Sequence, residues 1–428
     1  MLSAMFIVFL VALFLALPIA VAMGCAALVP SFINPAFAGN PFYIITSMVG
    51  GLNVSSILAI PLFMLSGALM CRGGISERLF NIFAYIVGKR RAGIPCAVVV
   101  TCLFYGAISG SGPATAAAVG AMTIPVMVRL GYDKTFAGAV VAVAGGLGII
   151  IPPSIPFILY GLFTSTSVGA LFKAGIIPGC LIAFCLMLYC WIYCKRHGED
   201  TEKISANYES LKAQGFGKLM KEGFWAVLTP VIILGTIYGG VCTPTEAACI
   251  SVVYALVVCV FVYKTVDIHN IWTIFKEGVA SYAPILLMIA ISQGFVRVLS
   301  LLKAPAIIAA FISSNVSSKF AMLLLMNVVL LVLGMFMESS AAVIILSPML
   351  YTIGMAYGVD PVHLGVFLIV NTAIGFVSPP FGLNLFVVSP LIETPVATMG
   401  KKVIPFLGFF LIALLLITYV PQISLCLL

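Results

Sequence analysis

Hydroxyl-bearing and glycine residues crowd four short stretches of this chain, each inside an apolar run. Ser109, Ser111 and Thr115 fall in GAISGSGPATAA, and Ser339 and Ser340 fall in GMFMESSAA. Gly146, Gly148, Ile149 and Pro152 belong to GGLGIIIPPSIP, and Gly375, Val377 and Pro379 to GFVSPPFG. The last two stretches hold the only Pro-Pro pairs, Pro152-Pro153 and Pro379-Pro380. A Pro-Pro behind a glycine-rich turn removes amide donors and interrupts a helix. Hydroxyls and freed carbonyls at membrane depth suit a hard cation such as Na⁺, which takes oxygen ligands. With one cluster per half, two or more Na⁺ ions are expected. Half-helix N-termini aim positive dipole ends at the same place and favour an anionic solute. Ser109, Ser111 and Ser154 are the hydroxyl candidates for contacting that solute. Two ionisable residues join them: Glu338 on the second cluster and Arg297 in SQGFVRVLS. Charge in an apolar run is costly and marks function by default. For Arg297 the structural alternative is snorkelling to an interface. A third such residue, Glu246 in GGVCTPTEAAC, has capping of a helix N-terminus as its alternative.

Several elements must position these residues. The chain is 63% apolar and 8% charged, with no charged residue before Arg72. With a mean hydropathy of +1.23, that is an all-α polytopic membrane protein. Spans are predicted at Leu2–Val29, a retained first span, and at Val54–Cys71. Ile75–Arg91 reads as a helix in the interface plane. Ala92–Val128 reads as a re-entrant hairpin tipped by GAISGSGPATAA, the rival being two spans joined by a tight turn. Asp133–Gly161 is an interrupted span, followed by a short amphipathic piece, Ser165–Phe172, and a span at Gly175–Cys194. Lys195–Gly223 is a polar connector. Spans at Phe224–Gly239 and Glu246–Tyr263, an interfacial helix at Asp267–Ala280 and a span at Ser281–Leu302 follow. Phe320–Tyr357 is a second hairpin, Asp360–Val388 a second interrupted span and Val403–Leu425 the last span.

The two halves align as a repeat. Ala118 and Pro125 match Ala341 and Pro348 at an offset of 223; Asp133, Gly148 and Pro152-Pro153 match Asp360, Gly375 and Pro379-Pro380 at 227. Only Lys173, Arg297, Lys303 and Lys319 lie off one side, leaving 17 of the 21 basic residues on it. That side is the cytoplasm, which also holds the N-terminus. The interrupted spans then run in opposite directions, an inverted repeat suited to alternating access. The expected organisation is residues 1–91 as scaffold helices and arm, 92–174 as the first transport half and 175–319 as scaffold containing the connector 195–223. Residues 320–400 form the second transport half, and 401–428 the last helix.

The net charge of +8 is explained by cytoplasmic loops, so no nucleic-acid partner is expected. The twelve cysteines have no CxxC pair and read as buried apolar residues. His197, His269 and His363 read as structural or solvated. No GxxxxGK[ST] loop supports an ATP-driven pump.

The stretches GAISGSGPATAAAVGAMTIPVM, GIIIPPSIPFILYG, TPTEAA and GFVSPPFGLNLFV resemble the large membrane subunit of tripartite ATP-independent periplasmic (TRAP) transporters. The resemblance covers nearly the whole chain. It implies an elevator-type, Na⁺-driven secondary transporter of the bacterial inner membrane, not an enzyme. It also implies two protein partners: a separate small four-helix membrane subunit and a periplasmic substrate-binding protein. The solute would be an organic acid, of the C4-dicarboxylate or sialic acid class. A self-sufficient carboxylate transporter of the same architecture is the alternative; a channel or intramembrane hydrolase is remote.

Overall fold

The structure is a computed structural model that describes residues 1–15 and 17–428, with side chains for all of these except residues 268 and 269. The side chain of His269 thus lies outside the described residues. The run expected as one first span is two helices, α1 (Leu2–Phe14) and α2 (Ile19–Ile33), packed on each other. Pro18 is the reason: its backbone is extended (φ −53°, ψ 138°) and it lacks the amide that would continue the ladder. A further short helix, α3 (Pro41–Leu52), escaped the sequence reading; Asn40 caps it by accepting from the Tyr43 amide at 2.8 Å. Next come α4 (Ala59–Arg72), preceded by a 3₁₀ turn over Ser55–Leu58, and the arm α5 (Ile75–Val87).

The first hairpin forms as expected from α6 (Gly93–Ser109) and α7 (Gly112–Arg129). The interrupted span is α8 (Lys134–Gly145), a 3₁₀ turn at Gly146–Ile149, a break, and α9 (Ile155–Thr164). The amphipathic piece does not form. Ser167 caps α10 (Val168–His197), which absorbs both it and the following span in one 30-residue helix. The connector contains α11 (Thr201–Gln214), and α12 (Phe216–Tyr238) and α13 (Pro244–Val257) follow. The expected interfacial helix and span at 267–302 are one continuous 34-residue rod, α14 (Ile268–Leu301). Nothing at Ala280-Ser281 breaks a helix; Ser281 Oγ donates to Glu277 O at 2.8 Å, within the turn. After α15 (Ala304–Asn315), the second hairpin is α16 (Lys319–Phe336) and α17 (Ser339–Ala356). The second interrupted span is α18 (Pro361–Gly375) and α19 (Leu383–Val388), with α20 (Val396–Tyr419) after it. Among the described residues, eight helices are long and apolar enough to cross a membrane.

The repeat holds element by element, but at nearly one offset throughout; the pairing of Ala118 and Pro125 with Ala341 and Pro348 at 223 is not kept, because the hairpin arms already align at 226 and 227. From α6, α7, α8, α9 and α10 to α16, α17, α18, α19 and α20, first residues are offset by 226, 227, 227, 228 and 228. Asp133 and Asp360 are the N-caps of α8 and α18: Asp133 accepts from the Phe136 amide at 2.7 Å, and Asp360 from the Val362 and His363 amides at 2.8 and 3.1 Å. Replacing either by alanine is expected to cost about 1 kcal/mol. The two costs should add in the double variant, since the caps are independent; melting of the purified protein checks both.

One core gathers side chains of α6–α10 and α16–α20, with contributions from α4, α5 and α11–α15. Smaller cores lie under α1, α2 and α14, and under α4, α5 and α13. α10, whose span was expected in the scaffold, and α20 pack on each other and on α18. The halves also exchange contacts: α7 packs on α19, and α17 packs on α9.

Candidate functional site

The first tip is Gly110-Ser111, between α6 and α7. Gly110 turns the chain in the left-handed region (φ 62°), and its carbonyl accepts from the Ile155 amide at 3.4 Å, docking the tip on the break. Thr115 Oγ1 donates to Ser111 O at 2.8 Å and lies 2.8 Å from Ser109 Oγ. Two of these oxygens, Thr115 Oγ1 and Ser111 O, sit against Gly148. A Cβ there would lie 2.4 Å from Thr115 Oγ1 and 2.6 Å from Ser111 O, so only glycine fits. Ser109, Thr115, Gly146, Gly148 and Ile149 are all buried. Ser154 caps α9, and its Oγ donates to Ile149 O at 2.5 Å. That hydroxyl faces the break and does not line the cavity described below.

The second tip is Met337-Glu338. Glu338 caps α17 by accepting from the Ala341 amide at 3.2 Å, and Ser340 Oγ donates to the same carboxylate at 2.9 Å. Ser339 Oγ is 3.5 Å from it. Both serines are buried. Behind the tip, Gly375 meets Gly334 of α16 backbone to backbone: a Cβ on Gly375 would lie 2.4 Å from Gly334 C and O. In the first half Gly106 meets Gly148 in the same way, a Cβ on Gly106 lying 2.8 Å from Gly148 Cα. Pro379 packs on the other side, toward Gly400 of α20. The peptides Pro152-Pro153 and Pro379-Pro380 are both cis.

A cavity of about 390 Å³ joins the two tips and the two breaks. Gly110, Ser111 and Pro113 line it from the first tip, Glu338, Ser339 and Ser340 from the second. Ile149, Ile155 and Phe376 line it from the breaks, and Pro18, Ile19, Pro284 and Met288 close it from α2 and α14. The starts of α7, α9 and α17 all reach this cavity, which collects positive helix ends in one place. Ser109, Thr115, Gly148, Gly375 and Val377 lie behind its wall, where carbonyl and hydroxyl oxygens are the available donor atoms.

Arg297 is not in this constellation. It is exposed on α14, whose Phe295, Val298 and Leu299 turn into the core instead. Arg297→Gln is expected to change solute uptake by less than about 0.5 kcal/mol, roughly twofold; initial rates in vesicles check it. Glu246 closes a capping box with Thr243, its carboxylate accepting from the Thr243 amide at 2.8 Å, the structural alternative. His197 stacks on Tyr193, and the ring nitrogens of His363 lie 3.2 Å from Ser424 Oγ and 3.1 Å from Thr418 O. Both are structural.

Three groups escaped the sequence reading. Gly106 and Gly334 are offset by 228, and that spacing was the available signal. Asn384 Nδ2 donates to Ala142 O at 2.9 Å and ties the second break to α8; no local pattern announces it. Pro18 was a lone proline without a glycine-rich turn.

Residues 6–423 match the family described as the DctM component of tripartite ATP-independent periplasmic transporters. The chain is 40% identical over 406 residues to the isethionate TRAP transporter permease protein of Oleidesulfovibrio alaskensis, covering 95% of this chain and 63% of that one. It is 40% identical to the C4-dicarboxylate TRAP transporter large permease of Pseudomonas aeruginosa, covering 87% and 86%. It is 37% identical to the sialic acid TRAP transporter large permease of Vibrio cholerae, covering 89% and 88%. Among solved structures, the YdaH transporter of Alcanivorax borkumensis superposes with a TM-score of 0.61 over 89% of each chain, at 16% identity, a likeness of fold alone.

Proposed function

Because the chain belongs to the DctM family of TRAP transporter large permeases, we propose that it carries a small organic acid across the bacterial inner membrane, driven by Na⁺. The observation that carries this reading is the single cavity bounded by both tips and both breaks, with the starts of α7, α9 and α17 among the helix starts around it. One Na⁺ would sit at each half: near Ser109, Ser111, Thr115 and the 146–149 turn in the first, and near Ser339, Ser340 and the 375–379 turn in the second. α6–α10 and α16–α20 would move as one body, with α10 and α20 carried in it because they pack on each other and on α6, α8 and α18. α2, α4 and α14 would stay fixed and expose the cavity to one side, then the other. α5 and the connector would face the cytoplasm. A small membrane subunit and a periplasmic binding protein would complete the assembly, the latter delivering the solute. Relatives named for isethionate, C4-dicarboxylates and sialic acid set the range of acids to try.

The test is uptake by proteoliposomes holding this chain with its small subunit, with the binding protein outside. Uptake of an acid should require both an inward Na⁺ gradient and the binding protein. Uptake unchanged when K⁺ replaces Na⁺ would overturn the coupling. Full uptake without the binding protein would favour a self-sufficient carboxylate transporter.

A further inference from the structure

The two ends of the cavity differ in charge. At the first tip, α7 begins at Gly112 with no side-chain cap from its N-cap residue Ser111; Ser111 and Pro113 line the cavity, and Gly112 and Ala114, on either side of the amide-free Pro113, supply the first amides of the helix. An uncapped helix start takes an anionic group. At the second tip the corresponding helix start is already filled by its own carboxylate: Glu338 accepts from the Ala341 amide and from Ser340 Oγ. Glu338 is the one charged side chain among the described residues that line the cavity, and no Lys, Arg or His lines it. Gly112 and Ser339, the first residues of the two helices, are repeat equivalents, offset by 227, so Glu338 corresponds to Ser111. One tip therefore offers bare amides where its counterpart offers a carboxylate. The rest of the wall is largely apolar, including Ile149, Ile155, Met288 and Phe376. A second anionic group brought near Glu338 would meet a like charge in a water-poor pocket, where repulsion is strong.

Resting on the transport reading above, we propose that Glu338 selects a bipolar acid. Its carboxylate or sulfonate lies at the α7 start and a hydrogen-bond donor at its other end, hydroxyl or ammonium, faces Glu338. Dianions of similar length are disfavoured.

The experiment uses the purified complex of this chain with its small subunit, in saturating Na⁺ so that bound cations are the same in every arm. Thermal stabilisation is measured for two solute classes without the binding protein, whose own selectivity would otherwise intrude. The first class is two- to four-carbon sulfonates and carboxylates ending in hydroxyl or ammonium. The second is C4-dicarboxylates. Wild type should bind members of the first class at least tenfold more tightly than the second. Glu338→Gln keeps a capping side chain and removes the charge; it should narrow that ratio at least tenfold. Glu338→Asp, which keeps the charge, should restore the preference. Dicarboxylates that bind wild type as well as the bipolar acids, or a ratio unmoved in Glu338→Gln, would overturn the proposal while leaving an acid-binding cavity intact. Binding of neither class would sink the cavity assignment and the proposal together.

Discussion

Gly375→Val abolishes Na⁺-driven uptake while the protein still reaches the membrane. A Cβ on Gly375 would lie 2.4 Å from the carbonyl carbon and oxygen of Gly334 and 2.7 Å from its Cα. These are backbone atoms, so no rotamer relieves the contact, and α16 must move off α18. Forcing volume into such a junction costs roughly 1–3 kcal/mol. The functional loss is larger, because Gly334 lies three residues before the tip at Met337 and any shift of α16 moves the second tip with it. Gly408→Val on α20 is the control, since nothing lies within 4 Å of a Cβ there. Uptake rates normalised to the amount of inserted protein decide the matter. Normal uptake by Gly375→Val would show that this close approach is dispensable.

Thr115→Val raises the Na⁺ concentration needed for half-maximal uptake, with little change in the folded structure. Valine keeps the shape and loses only Oγ1, which donates to Ser111 O and pairs with Ser109 Oγ. If that oxygen cluster holds a cation, the lost contact is of the charged kind, worth roughly 1.5–3 kcal/mol. That is roughly 10–100-fold in Na⁺ affinity. Uptake measured against external Na⁺ reads it directly. An unchanged Na⁺ dependence would remove Thr115 from the cation pocket.

Much of this architecture was legible because its signals are local. A double proline after glycines stops a helix in any surroundings, and serines at a hairpin tip have few structural reasons to cluster. The repeat was legible because Asp133 and Asp360, both helix caps, stand at the same offset as the double prolines. Other features depend on what lies across the fold. The Gly106–Gly148 and Gly334–Gly375 approaches join residues far apart in sequence, and glycine is common in membrane helices. α14 was divided where polarity changes, but polarity alone does not end a helix; its hydrogen bonds run on through Ser281. Arg297 was drawn into the solute contacts because a charge in an apolar run is conspicuous, yet its helix turns it outward. At Pro18 one residue was enough to fold the chain back, a weaker mark than a doubled proline.

The second arm of each hairpin lies against the broken helix of the opposite half, α7 on α19 and α17 on α9. Neither half completes its own pocket. A half-length ancestor would thus have needed two copies, inserted head to tail, before it could enclose a solute. In this chain the copies are joined through residues 198–318, which keep both in one molecule but are not what locks them together.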